Sequence, residues 1–175
     1  KSVTFSAPAV NAEGNGELVG LRMSLQPGYG RLLVNVREVA FRESIDAALR
    51  KAVIASEKYS GVRLSNYDIV LDVDSQGFSE LSGESAGAYF AAALIAMQSN
   101  RGLNPDASMS AAISENGTLL PVGGIDEKII AAKAGSRKVF VISDSQEAKF
   151  EDSLSSGIEI RRAKDLSAAL PYLLS

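Results

Sequence analysis

The chain has 175 residues, 46% of them hydrophobic, which is enough for one compact core and short of two full-sized domains. Its 18 basic and 21 acidic residues are interspersed and leave a formal charge of -3, so no basic stripe or polybasic run points to nucleic acid or to an acidic membrane surface. Cysteine and histidine are both absent, which excludes disulfides, thiol nucleophiles, thiolate or imidazole metal sites and Ser-His-Asp chemistry.

In chain order, residues 2–10, 17–25 and 31–37 read as strands, and the Gln26-Pro27-Gly28-Tyr29-Gly30 turn predicts a hairpin between the second and third. Gly14, Gly16 and Gly20 lack the spacing of a dinucleotide-binding loop, and the first two read as a plain turn. Apolar residues at Phe41, Ile45, Ala48, Leu49, Ala52 and Val53 form the stripe of an amphipathic helix over 41–59. A mostly buried strand at 67–73 leads through a small-residue loop, 74–84, into a helix over 85–98 that is apolar nearly all round and belongs in the interior. Its apolar run is shorter than the ~20 residues of a membrane span.

Short strands at 108–113 and 118–122 flank an Asn116-Gly117 turn, which suits the positive φ of a tight hairpin. A helix follows over 124–134, then a strand at 138–142. Asp144 and Glu147 read as a capping pair for a short helix, 157–160 as a strand, and Asp165 as the cap of a last helix. Strands followed by strand-helix alternation predict one α+β (mixed α/β) domain over 1–175. Beginning at Lys1 with no leader pattern, the sequence reads as a soluble domain excised from a longer protein.

Two segments carry candidate chemistry. Ser82-Gly83-Glu84-Ser85-Ala86-Gly87 sets a serine between small residues at the mouth of the buried helix, where a substrate backbone can approach and backbone N–H groups can hold an oxyanion. Taken alone, Ser85 also reads as a helix N-cap. In Gly123-Gly124-Ile125-Asp126-Glu127-Lys128, helical spacing puts Lys128 on one face with Gly124, Ile125, Ala131 and Ala132. An apolar face of this kind lowers an amine's pKa toward the range where it serves as a base. Lys128 as a surface residue paired with Asp126 or Glu127 is the competing reading. Without histidine, a serine nucleophile here needs a lysine, a carboxylate or an N-terminal amine as its base.

Together these segments resemble the Lon protease family, whose nucleophile lies in Gly-Pro-Ser-Ala-Gly and whose lysine lies in Leu-Pro-Ile-Gly-Gly-x-x-Glu-Lys. Here they read Gly83-Glu84-Ser85-Ala86-Gly87 and Leu120-Pro121-Val122-Gly123-Gly124-Ile125-Asp126-Glu127-Lys128, in the same order and 43 residues apart from Ser85 to Lys128. Phe41-Arg42-Glu43-Ser44 is similar to the family's Met-Lys-Glu-Ser helix start, and Gly16-Glu17-Leu18-Val19-Gly20-Leu21 to its Val-x-Gly-Leu strand. The resemblance implies a proteolytic domain with a fold similar to the ribosomal protein S5 domain 2-like fold. It also implies a serine-type endopeptidase with Ser85 as nucleophile and Lys128 as general base. Three departures stand out. Ser110-Ala111-Ala112 replaces Thr-Gly-Glu, so Ser110 would supply the hydroxyl that positions the amine. Glu84 replaces proline, where an acid either anchors the loop or repels substrate carboxylates. Leu71 and Val73 replace histidines common on the preceding strand.

By the same resemblance, the oxyanion would be held by the Ser85 N–H and a neighbour in the Gly83–Glu84 loop. The chemistry needs no metal or cofactor in this chain. The chain has no G-x-x-x-x-G-K-[ST] loop, so any ATP would be used by a separate ATPase domain. Unfolded or damaged proteins are the implied substrates and a homo-oligomeric ring the implied assembly. A cytoplasmic location is favoured, with an ATPase or membrane segment outside this stretch. The alternatives are a non-catalytic binding module on the same fold and a small-molecule kinase whose loop holds phosphate, which Glu84 would oppose.

Asp72-Val73-Asp74-Ser75-Gln76-Gly77 opens like a calcium loop, but position twelve is Gly83 where a bidentate glutamate is needed, so a strand-to-loop turn is expected. Asn116-Gly117-Thr118 matches a glycosylation acceptor, and the turn accounts for its asparagine and glycine.

Overall fold

A computed structural model describes the backbone of residues 1–36, 39–74, 79–80, 83–147 and 152–175, and the side chains of these except 39–41, 79–80 and 152–153. Strands β1 (Ser2–Asn11) and β2 (Gly16–Pro27) form a long antiparallel hairpin with Val10 opposite Gly16, turned at Gly14 with φ +83°. Alternate residues face the core, Phe5, Ala7 and Ala9 from β1 and Val19, Leu21, Met23 and Leu25 from β2.

The expected hairpin between the second and third strands does not form. β4 (Tyr67–Asp74) pairs antiparallel with β2, and β3 (Leu32–Asn35) lies beyond it, parallel to β4. With β5 (Ser79–Glu80) beside β1, the order is β3-β4-β2-β1-β5. The turn at 26–31 is real, but it folds against the start of β4. The Asp68 carboxylate accepts from the backbone N–H of Tyr29 and Arg31 at 2.9 and 3.0 Å, and from the Arg31 guanidinium through Nε and Nη2. A Cβ on Gly28 would lie 2.2 Å from that carboxyl carbon, so only glycine lets the turn close on it. A parallel β3-β4 pair needs a crossover, and helix α1 (Val39–Ser60) supplies it. Its buried residues Ile45, Ala48, Leu49 and Ala52 follow the predicted stripe.

Residues Gly83–Ala86 form one 3₁₀ turn that leads into α2 (Gly87–Gln98), which is buried from Gly87 to Met97. The predicted strand at 108–113 is divided. β6 (Ala107–Ser110) joins a parallel sheet ordered β10-β9-β6, with β9 (Val139–Ser143) and β10 (Glu159–Ala163). β7 (Ala112–Ile113) instead forms a hairpin with β8 (Leu119–Leu120) around Gly117 at φ +85°.

Met109 and Val141 point into the main core with α2 and α5 (Leu166–Leu173). Phe140 and Ile142 point the other way and pack on Ile125, Ile129 and Ala132 of α3 (Ile125–Ala134). Asp165 caps α5 as expected, accepting from Ala168 N–H at 2.9 Å. Among the described residues, Asp144 and Glu147 cap no helix. Residues 144 and 145 form a turn closed by Ser143 Oγ, which accepts from Ser145 N–H, and the short helix α4 is Asp152–Ser155. No helix among the described residues is long and apolar enough to cross a membrane.

Candidate active site

Ser85 sits in the 3₁₀ turn ahead of α2, and that turn is fixed from two sides. On one side, Gly83 N–H donates to Ser44 Oγ of α1 at 3.2 Å, and a Cβ on Gly83 would lie 2.4 Å from the Ile45 backbone nitrogen. Glycine is therefore required by close approach to a helix backbone. On the other side, Ala111 N–H donates to the Ser85 carbonyl and Ala88 N–H to the Ala111 carbonyl, both at 3.1 Å. These bonds hold Ser85 beside the end of β6, where Ser110 is fully buried. The cap position of α2 is Ala86, with no side-chain cap, so Ser85 does not serve as the N-cap.

Lys128 arrives from the opposite direction. Pro121-Val122-Gly123-Gly124 runs from β8 to α3, with Val122 held at both its N–H and its carbonyl by the Gln146 side-chain amide, each at 2.9 Å. Gly124 opens α3 at φ +67°, and a Cβ there would lie 2.6 Å from Val10 Cγ2 and 3.8 Å from Lys128 Cε. On the next turn, Lys128 is 5% exposed. Helix α3 lies so close to the start of β2 that a Cβ on Gly16 would fall 1.9 Å from the Glu127 carbonyl oxygen. Gly16 is thus explained by helix contact more than by a turn.

The Lys128 amine donates to Ser110 Oγ at 3.2 Å and to the Gly123 carbonyl at 2.9 Å. Among the described residues no carboxylate forms an ion pair with it, so pairing with Asp126 or Glu127 is not what the structure shows. Burial brings its pKa down from 10.5 to about 8, and the nearby Glu127 charge opposes part of that shift. Ser85 and Lys128 open onto one cavity of about 490 Å³, lined also by Val10, Glu84, Pro121, Val122, Gly123 and Gly124. A larger cavity of about 580 Å³ between β3 and α1 holds none of the predicted site residues.

Ser85, Lys128, Ser110, Gly83 and Glu84 therefore converge at one place. Sequence reasoning did not single out four residues that position them: Ser44, Gly16, Gln146 and the carbonyl of Gly123. Ser44 carried a signal, because it lies in the helix-start motif, and Gly16 lay in the strand motif. Gln146 carried none.

Asp72 and Asp74 of the suspected calcium loop lie in β4, where Asp72 accepts from Asn35 Nδ2 at 3.1 Å and Asp74 stands opposite Gly20. Ser75, Gln76 and Gly77 are outside the described residues, and Gly83 is packed against α1. Asn116 Oδ1 accepts from Lys58 Nζ at 3.1 Å in the predicted turn.

Known proteins resemble this chain over most of its length. The family model described as the Lon protease (S16) C-terminal proteolytic domain matches residues 9–175. Among curated relatives, the Lon proteases of Erwinia amylovora and Escherichia coli (strain K12) are each 29% identical to this chain, and that of Rhizobium meliloti is 30% identical. Each match covers 93% of this chain and 21% of the relative. The chain thus spans about a fifth of the length of these relatives.

Proposed function

The chain belongs to the family of Lon protease C-terminal proteolytic domains, and from that premise we propose that it is a serine-type endopeptidase working through a Ser85-Lys128 dyad. The observation that carries this reading is a buried amine whose partners among the described residues are neutral, sharing one cavity with a serine at the mouth of a buried helix. Neutral Lys128 takes the Ser85 proton as Oγ attacks the peptide carbonyl. The carbon–nitrogen bond then breaks, and the ammonium of Lys128 returns the proton to the leaving amine. Water, deprotonated by the same amine, releases the acyl group and restores Ser85. Ser110 Oγ orients the amine throughout.

Gly83 N–H is committed to Ser44, so the oxyanion falls to the backbone N–H groups of Ser85 and Glu84. On this reading the step draws on side chains and backbone alone, with no metal or cofactor. Unfolded or damaged proteins are its substrates, in a homo-oligomeric ring, with any ATP hydrolysed by a separate domain. Cleavage of unfolded casein by the purified oligomer tests the assignment. Ser85→Ala is expected to lower the rate by a factor of about 10³ or more while leaving the unfolding midpoint nearly unchanged. A wild-type rate in that variant would return the chain to the class of binding modules.

A further inference from the structure

We propose that Glu84 makes this site selective for peptides carrying lysine or arginine beside the scissile bond, an inference that rests on the hydrolytic reading above. Of the described residues lining the cavity, Glu84 and Lys128 alone have ionisable side chains. Hydrolysis requires Lys128 to be neutral, so in the working form Glu84 is the one charge that the described lining carries. The remaining lining, Val10, Pro121, Val122 and the two glycines, supplies no cation that would neutralise it.

Glu84 is exposed, and among the described residues no hydrogen bond or ion pair engages its side chain. One peptide unit, ~3.8 Å between Cα atoms, separates it from Ser85, so its reach is confined to substrate residues flanking the attacked carbonyl. Glu127, whose negative charge already acts on Lys128, adds field of the same sign. A substrate cation at this position gains an ion pair, and a substrate carboxylate meets repulsion with no countercharge.

The test uses internally quenched peptides identical except beside the cleaved bond, where they carry lysine, acetyl-lysine, glutamate or glutamine. For the wild-type oligomer at low salt, kcat/KM is expected to be roughly two- to fivefold higher for lysine than for acetyl-lysine, and lower for glutamate than for glutamine by a similar factor. Both ratios should shrink in about 0.5 M salt, where exposed charges are screened within a few ångströms. Glu84→Gln should bring both ratios toward one, and Glu84→Lys should invert them. Affinities of the same peptides for Ser85→Ala, with and without Glu84→Gln, give the ratios even if the loop variants cleave poorly. Ratios unchanged by Glu84→Gln, with the peptides still cut by wild type, overturn the selectivity and leave the protease standing. Failure of wild type to cut any of them overturns the hydrolytic reading itself.

Discussion

Two polar clusters in this molecule handle charge in opposite ways. At the corner before β4, Asp68 is met by the Arg31 guanidinium and two backbone N–H groups, and these hold its carboxyl well below the usual carboxylate range. At the mouth of α2, Lys128 has a hydroxyl and a carbonyl for company and no carboxylate in an ion pair, and burial lowers its pKa to about 8. Both side chains are largely shielded from solvent. Satisfied with a countercharge, the first is fixed in its ionised form and serves the fold. Supplied among the described residues with neutral acceptors only, the second is left able to lose its proton near neutral pH, and on the proposed mechanism it serves chemistry.

The sharpest way to break this contrast is to change Lys128. Both Lys128→Arg and Lys128→Met are expected to lose proteolysis altogether, the first because guanidinium keeps its proton and the second because a thioether cannot accept one. In the wild type, peptidase activity should rise with pH through about 8, as the amine becomes neutral. Stability should respond in the same window. The folded chain binds this proton less tightly than the unfolded chain, so the stability deficit from Lys128 is full below pH 8 and is relieved between about 8 and 10.5. Lys128→Met should abolish that relief and be more stable at pH 7 by about 1–2 kcal/mol, read from denaturant titrations. A pKa near the ordinary lysine value, measured by NMR in the assembled protein, would erase the contrast.

A smaller change sharpens it. Ser110→Ala removes the hydroxyl that accepts from the amine, and kcat should fall by roughly 10- to 100-fold with KM little altered. Ser110→Thr should recover most of the loss, which simple damage to β6 would not allow.

The Asp68 side of the comparison should move stability and leave catalysis alone. Asp68→Asn keeps one acceptor for the Tyr29 and Arg31 N–H groups but turns an amide toward the guanidinium. It should lower the unfolding midpoint by several degrees at neutral pH without changing kcat. Because the folded pKa of Asp68 lies below its unfolded value, its contribution is complete above the ordinary carboxylate pKa of ~3.9 and is lost as pH falls below it. Thermal melts across the acid range should therefore show a flatter acid limb for Asp68→Asn than for the wild type.

Local signals in the sequence located most elements, because apolar period and caps are set within a few residues. The stripe of α1 from Ile45 to Ala52, the all-apolar α2, the Asp165 cap and the Asn116-Gly117 turn occur as read, while the Phe41 side chain lies outside the described residues. Pairing partners were not local. The Pro27-Gly28 turn looked like a hairpin, yet Ile69 and Leu71, more than forty residues past it, form the strand that intervenes. The small-residue face around Lys128 pointed to a buried amine, and the paired motifs pointed to Ser85. What stayed hidden were the supports that depend on tertiary approach. Ser44 meets Gly83 across 39 residues, and Gln146 meets Val122 across 24. Glycine at position 16 reads as a turn until a helix is laid against it.

On the proposed mechanism, that helix contact has a consequence for when the chain can cut other proteins. The Glu127 carbonyl rests on Gly16, more than a hundred residues upstream, so the amine's environment exists only once the first hairpin, the parallel sheet and α3 have all come together. In a chain still emerging from synthesis, or one that has come apart, Lys128 reverts to an ordinary solvated ammonium with a pKa of about 10.4 and is protonated at neutral pH. On the proposed mechanism, proteolytic capacity is therefore a property of the completed molecule.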